Sequence, residues 1–181
     1  QYRGNAAMTP ITNINHVTKF RSIFPDLAML FVIILAGLVY TFRIEQFMDI
    51  ALYDESVYLH SGISVPNGFP SAEYAPLYAL WYYFLSFLDH DTIKLYYLNY
   101  KVMTVLPAVL IFVVLRVNSV SRTVSFFCSC GFLLSAANFA TVPKVSHFAI
   151  LIILSGLIVS SLQRDRCLQI MAITIFSFLA S

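Results

Sequence analysis

The sequence predicts an all-α, multi-pass membrane protein with about five transmembrane helices and juxtamembrane helices in one long external loop. Three observations carry this expectation. Hydrophobic residues are 59% of the 181 and charged residues 11%, against roughly 45–50% apolar in soluble domains. Mean hydropathy is +0.78, and charges this sparse could not cover the apolar surface of a water-soluble globule. Four apolar stretches, 24–42, 95–117, 124–142 and 145–162, approach the ~20 residues that cross about 30 Å of hydrocarbon as a helix, and a fifth opens at Leu168. Helices are the expected form because lipid offers backbone N–H and C=O groups no partner.

Other classes are excluded by the same counts. Gly 6, Pro 7 and Cys 3 fit neither a disordered chain, nor a collagen repeat, nor a disulfide scaffold. A net charge of +2 with no Lys/Arg run gives no footprint for nucleic acid, so the expected partner is the lipid bilayer.

The first stretch, 24–42, has no small-residue cleavage signature behind it and reads as a retained anchor. Residues 1–23 before it are expected to be cytoplasmic, and residues 24–181 to form the transmembrane domain. The chain opens on Gln1 and stops at Ser181 inside an apolar run, so it reads as an amino-terminal fragment. Orientation follows from the loops, since Lys and Arg are retained on the cytoplasmic side. Arg3, Lys19, Arg21, Arg116, Arg122, Arg164 and Arg166 precede the first span or fall in the two short loops 118–123 and 163–167. The other side holds Glu45, Asp49, Asp54, Glu55, Glu73, Asp89 and Asp91. That side is expected to be external, most simply across the plasma or inner membrane.

Only loop 43–94 is long, and long loops tend to carry function. Within it, 75–88 is too short to cross a bilayer and carries Tyr78, Trp81, Tyr82 and Tyr83. It is expected to lie in the interface, where an amphipathic ring is buried and its polar tip stays wet. Pro76 suits the first helical turn.

On a helical wheel of 47–62, Asp49, Tyr53, Ser56 and His60 share a polar side. Asp54 is bracketed by Phe47, Ile50, Ala51, Val57 and Tyr58, and Glu55 borders Met48, Ala51 and Leu59. Carboxylates on an apolar side are expensive unless paired, coordinated or used. Asp54 and Glu55 are therefore the leading candidates, although capping of a helix would also account for them. Glu73 could serve the helix opening at Pro76. Asp89, His90 and Asp91 read as a helix end and a cap for the next span, with Asp91 or Thr92 at the N-cap. Cys128 and Cys130 read as small core residues, Cys167 as a free thiol, and Lys101 as a snorkelling anchor. Lys144 and His147 sit where a span end meets the external interface. No phosphate loop, nucleophile elbow or HExxH occurs.

An early span, an external Tyr53-Asp54-Glu55-Ser56-Val57-Tyr58, and Glu73-Tyr74-Ala75-Pro76-Leu77-Tyr78 opening an aromatic helix together resemble the GT-C membrane glycosyltransferases. The nearest likeness is to protein O-mannosyltransferases and bacterial lipid A aminoarabinose transferases. It covers roughly 24–117. Tyr74 and Ala75 depart from the Lys and Pro of the family pattern. The resemblance implies that 24–181 is a glycosyltransferase-like domain continuing beyond the fragment. It implies a polyprenyl-phosphate sugar donor, a glycan, lipid or protein acceptor, and an active site containing the Asp-Glu pair. Asp54 would be the general base, which such chemistry values at roughly 10²–10⁴ in rate. Glu55 would share the catalytic site, and Glu55 with Glu73 could hold a divalent metal ion facing the departing phosphate. The competing reading is a non-enzymatic transporter, flippase or scaffold subunit, for which acids at mid-membrane and inverted repeats are expected. The spans contain almost no acids, with Asp26 at one edge.

Overall fold

The computed structural model describes residues 14–46, 53–68, 75–135, 138, 144–163 and 165–180, with the backbone alone at 14–22, 53 and 54. Among the described residues there is no strand. The helices are α1 (Ile14–Tyr40), α2 (Tyr53–Ile63), α3 (Pro76–Ser86), α4 (Thr92–Val117), α5 (Arg122–Leu133), α6 (Val145–Leu162) and α7 (Arg166–Ala180), with short 3₁₀ turns at Ile44–Gln46 and Val65–Asn67.

Three described segments are long and apolar enough to cross a membrane: Ile23–Gln46, Thr92–Val117 and Val145–Leu162. They coincide with the first, second and fourth expected spans. The expected 124–142 span is represented by α5, which has 12 residues and ends at Leu133; much of the remainder lies outside the described residues. Helix α7 has 15 residues. Helix α1 begins at Ile14, well before the expected start of its span, so helix continues into the segment expected to precede the membrane.

Local chemistry sets the ends. Asp91 caps α4, its carboxylate accepting from the N–H of Ile93 at 2.9 Å and of Lys94 at 3.3 Å. Ser121 does the same for α5 through Val124 N–H. Pro76 stands in the first turn of α3, where its missing N–H removes no helical bond.

Helix α4 is the centre of the bundle and packs against α1, α3, α5 and α6, while α7 lies along α6. Ile33, Ala108, Phe112 and Leu133 form one buried cluster where α1, α4 and α5 meet. Gly156 lets α6 approach α7: a Cβ there would stand 2.5 Å from Phe176 Cβ. Large apolar side chains face outward, among them Phe24, Phe31, Phe42, Phe127 and Phe178. That is the arrangement for a solvent of hydrocarbon, where contacts between helices do not have to remove all apolar surface from water. Cys128 belongs to this outer surface and Cys130 is half-buried, so the expected core role does not hold for Cys128.

The two ends of the bundle carry the polar contacts. At one, Asp26 Oδ1 accepts from Arg116 Nε at 3.1 Å and Arg122 Nε at 2.8 Å, and Oδ2 accepts from Arg116 Nη2 at 3.2 Å, which ties α1 to the end of α4 and the start of α5. At the other end lie α2, α3 and the start of α6. The stretch of α4 from Asn99 to Arg116 separates them by roughly 25 Å at about 1.5 Å per residue.

Removing the Asp26 carboxylate takes away the anion that two half-buried guanidinium groups share. Asp26→Ala is expected to lower unfolding free energy by about 2 kcal/mol, read as a lower midpoint in thermal unfolding of the detergent-solubilised protein. An unchanged midpoint would contradict the tie.

Candidate functional site

Two short helices assemble the site. On α2, Glu55 and Leu59 are one turn apart and both buried, and Gly62 continues the same stripe. On α3 the matching stripe is Tyr78, Ala79 and Tyr82, all 0% exposed. The helices meet closely at Gly62, where an added Cβ would fall 2.5 Å from the Ala79 carbonyl oxygen and 2.6 Å from Tyr82 Cβ. Leu59, Tyr78, Tyr82, Leu85, Leu95 and Tyr96 form the apolar cluster around this contact. Tyr78 meets Tyr58 and Tyr82 edge-on, with ring centroids 5.1 and 5.4 Å apart.

Into this cluster projects the Glu55 carboxylate, 2% exposed. Its Oε1 accepts from Tyr78 OH at 2.5 Å, from Tyr82 OH, and from Asn99 Nδ2 at 3.0 Å. Its Oε2 accepts from the main-chain N–H of Lys144 at 3.3 Å. Trp81 Nε1 donates to Asn99 Oδ1 at 2.8 Å. An indole nitrogen can only donate, so the Asn99 oxygen faces Trp81 and its NH₂ faces the carboxylate and the tyrosine oxygens. One acid thus joins α2, α3, α4 and the start of α6.

The energetic logic is that of a buried anion. Desolvation of a carboxylate is severe, and only donors held in place offset it, each such bond to a charged group contributing about 1.5–3 kcal/mol. Burial, together with the adjacent Glu55 charge, raises the Tyr78 hydroxyl above its ordinary value. Burial also raises Tyr82, with the neighbouring Tyr78 and Glu55 adding to it. Both phenols therefore stay protonated and donate.

A second polar knot adjoins the first. The Asn138 carbonyl accepts from Tyr100 OH at 2.5 Å and Lys144 Nζ at 3.0 Å. The Asn138 amide donates to Phe132 O at 2.6 Å and Leu133 O at 3.2 Å, which closes the carboxyl end of α5. His147 Nε2 lies 2.8 Å from Asn138 Oδ1, while its buried Nδ1 has no hydrogen-bond partner among the described residues. Lys144 Nζ also sits 4.3 Å from the Tyr100 ring centroid. Burial pushes the Lys144 amine down to about 8, against an opposing pull from the Glu55 charge.

These positions sort the sequence candidates. Glu55 is on the buried side of its helix, as the wheel implies. Asp54 stands beside it in the first turn of α2, but its side chain, with Asp49 and Glu73, lies outside the described residues. The four bonds to Glu55 meet the expectation of a catalytic or metal-holding acid with a carboxylate already engaged. Three of the donors crowd onto Oε1, while Oε2 takes the Lys144 N–H alone. Among the described residues no three His, Cys, Asp or Glu side chains come together. Tyr78 and Tyr82 are corrected outright: they are fully buried donors to Glu55, not ring-in, tip-out residues of the headgroup layer, because the nearest acceptor for their hydroxyls is inside the protein. Asp89 accepts from Asp91 N–H at 2.9 Å and lies 3.7 Å from Lys94 Nζ, which holds its carboxyl below the usual range, the main-chain bond first among the causes. Lys101 pairs with Glu45 at 3.3 Å. Asn99 and Asn138 are partners that pattern reading passes over, while Lys144, read as lying at a span end, is a partner through its main chain; the detectable signal is the lone amide, Asn99, in a mainly apolar span.

No protein-family model, curated protein or solved structure gives a significant match to this chain. The fold and site by themselves define a helical membrane protein with a buried carboxylate at one end of its spans.

The depressed Lys144 amine has a pH consequence. Between about 8, where the folded amine releases its proton, and 10.5, its ordinary value, the unfolded chain binds the extra proton. Stability therefore rises with pH across that window. Thermal unfolding of the wild type against Lys144→Met is expected to show the rise only in the former; parallel pH profiles would contradict it.

Proposed function

We propose that this chain carries the donor-side active site of a membrane glycosyltransferase that moves a sugar from a polyprenyl-phosphate to a glycan, lipid or protein acceptor. The observation that carries the reading is the buried Glu55, which fastens α2 to α3, α4 and the start of α6. It fixes the first turn of α2, and with it Asp54, at the end of membrane-crossing helices. A lipid-borne leaving group keeps the reacting carbon near that level, since its prenyl chain stays in hydrocarbon.

In this reading Asp54 is the general base. As the acceptor oxygen attacks the anomeric carbon, its proton passes to the Asp54 carboxylate, and the bond between that carbon and the phosphate oxygen breaks to release polyprenyl phosphate. Glu55 is a positioning residue: its carboxylate takes donors from Tyr78, Tyr82, Asn99 and Lys144. Glu73, ahead of α3, completes the acidic set on the same loop. The Glu55 end is external and the Asp26–Arg116–Arg122 end cytoplasmic, in line with the Lys/Arg excess of the short loops. The regions of α5 and α7 supply a further two crossings, for five in all, in a plasma or inner membrane.

Transfer from a labelled polyprenyl-phosphate sugar by the purified protein tests the assignment. Asp54→Asn is expected to lower turnover by roughly 10²–10⁴, whereas Glu55→Gln mainly reduces the folded fraction. Wild-type turnover in Asp54→Asn would end the general-base role.

A further inference from the structure

Two grooves meet on the α1 side of α4. One, of about 340 Å³, follows the α1–α4 seam between Ile34 and Leu38 on α1 and Val102, Val105 and Leu106 on α4. The helices approach closely beside it, since a Cβ on Gly37 would stand 2.6 Å from Val105 Cγ2. The other, of about 550 Å³, lies where α1 ends and α3 turns into α4, and is bordered by Glu45, Asp89, Lys94, Tyr97 and Lys101. Leu98 and Lys101 line both. The two adjoin at these residues, one apolar along the span and the other charged at what would be its mouth.

The charges at the mouth are balanced. Lys101 pairs with Glu45 at 3.3 Å and Lys94 with Asp89 at 3.7 Å, and all four side chains retain access to solvent. Lys94 and Lys101 lie two turns apart on one face of α4, a rise of roughly 10 Å. Exposed pairs of this kind hold their partners weakly and exchange them readily.

We propose that this recess binds a bilayer phospholipid with a zwitterionic, primary-ammonium headgroup, one acyl chain lying in the α1–α4 seam. Complementarity of charge selects this occupant. The lysines offer N–H donors to the phosphate diester, and Glu45 and Asp89 offer acceptors to the ammonium group. A singly anionic glycerol headgroup brings hydroxyl donors but no positive charge to the two carboxylates. A choline headgroup carries its charge without N–H donors. The hydrocarbon chain continues from the charged mouth into the apolar groove, the direction that a lipid in the surrounding leaflet already takes. The proposal does not rest on the glycosyl-transfer reading: Tyr97 and Leu98 pack against the cluster around Glu55, but the donors to its carboxylate, Tyr78, Tyr82, Asn99 and Lys144, lie outside the recess.

Native mass spectrometry of the full chain tests it, with phospholipids of identical acyl chains bearing ethanolamine, choline or glycerol headgroups. The ethanolamine lipid is expected to be retained about fivefold or more over the other two. Val102→Trp, which fills the seam, and the double variant Lys94→Gln/Lys101→Gln are each expected to bring it down to the choline level. Equal retention of the three lipids by the unaltered protein overturns the proposal, as does preference for the glycerol lipid or wild-type retention in both variants. A lipid-free dimer closed over the seam also overturns it, assigning the recess to a second copy of the chain. The comparison of headgroups needs no substitution, so a variant that fails to fold does not shield the proposal.

Discussion

A carboxylate removed from water must be met by donors, and at Glu55 that requirement organises one end of the molecule. Its four bonds come from three different segments, α3, α4 and the residue before α6. Short helices such as α2 and α3, with 11 residues each, are marginal on their own in water. The acid and the apolar stripe of Leu59 and Gly62 against Tyr78, Ala79 and Tyr82 give them a fixed seat on the bundle. Specificity comes from the polar part: apolar stripes tolerate sliding, whereas a buried anion is satisfied in a single register.

The same principle operates at the far end of α4, where Asp26 receives two arginines, and among the described residues the long apolar middle of the bundle carries no comparable polar set. Between those ends, small residues set the spacing: Gly37 admits Val105 and Gly156 admits Phe176. Such close approach is how helices associate where hydrocarbon already surrounds them and burial adds little. The second knot, around Asn138, extends the Glu55 network toward α5 through Lys144, which touches both.

How much of this was legible beforehand depends on whether a feature is local. The three helical segments long and apolar enough to cross a membrane were, because each is a predominantly apolar run of that length. The Asp91 cap and the Pro76 start were, because capping involves neighbours in sequence. The buried side of α2 was, since Glu55 and Leu59 fall one turn apart. The identity of the Glu55 partners was not. Tyrosine at helical spacing has the same pattern whether it dips into headgroups or reaches an acid 23 or 27 residues away, and only packing of α2 on α3 decides between them. Lys144 meets Glu55 through its main-chain N–H across 89 residues, a contact that leaves no trace in residue type. For α5 the apolar run overstated the helix, which ends at Leu133 with its carbonyls taken up by the Asn138 amide.

The central claim is that the buried Glu55 carboxyl is held by tyrosine donors from α3. A double-mutant cycle on unfolding free energy, with Glu55→Leu and Tyr82→Phe singly and together, removes the acceptor and the donor in turn and measures that bond. The account predicts a coupling of about 1 kcal/mol or more between the two positions. Strictly additive effects would mean that the carboxylate and the hydroxyl do not meet, and would contradict it.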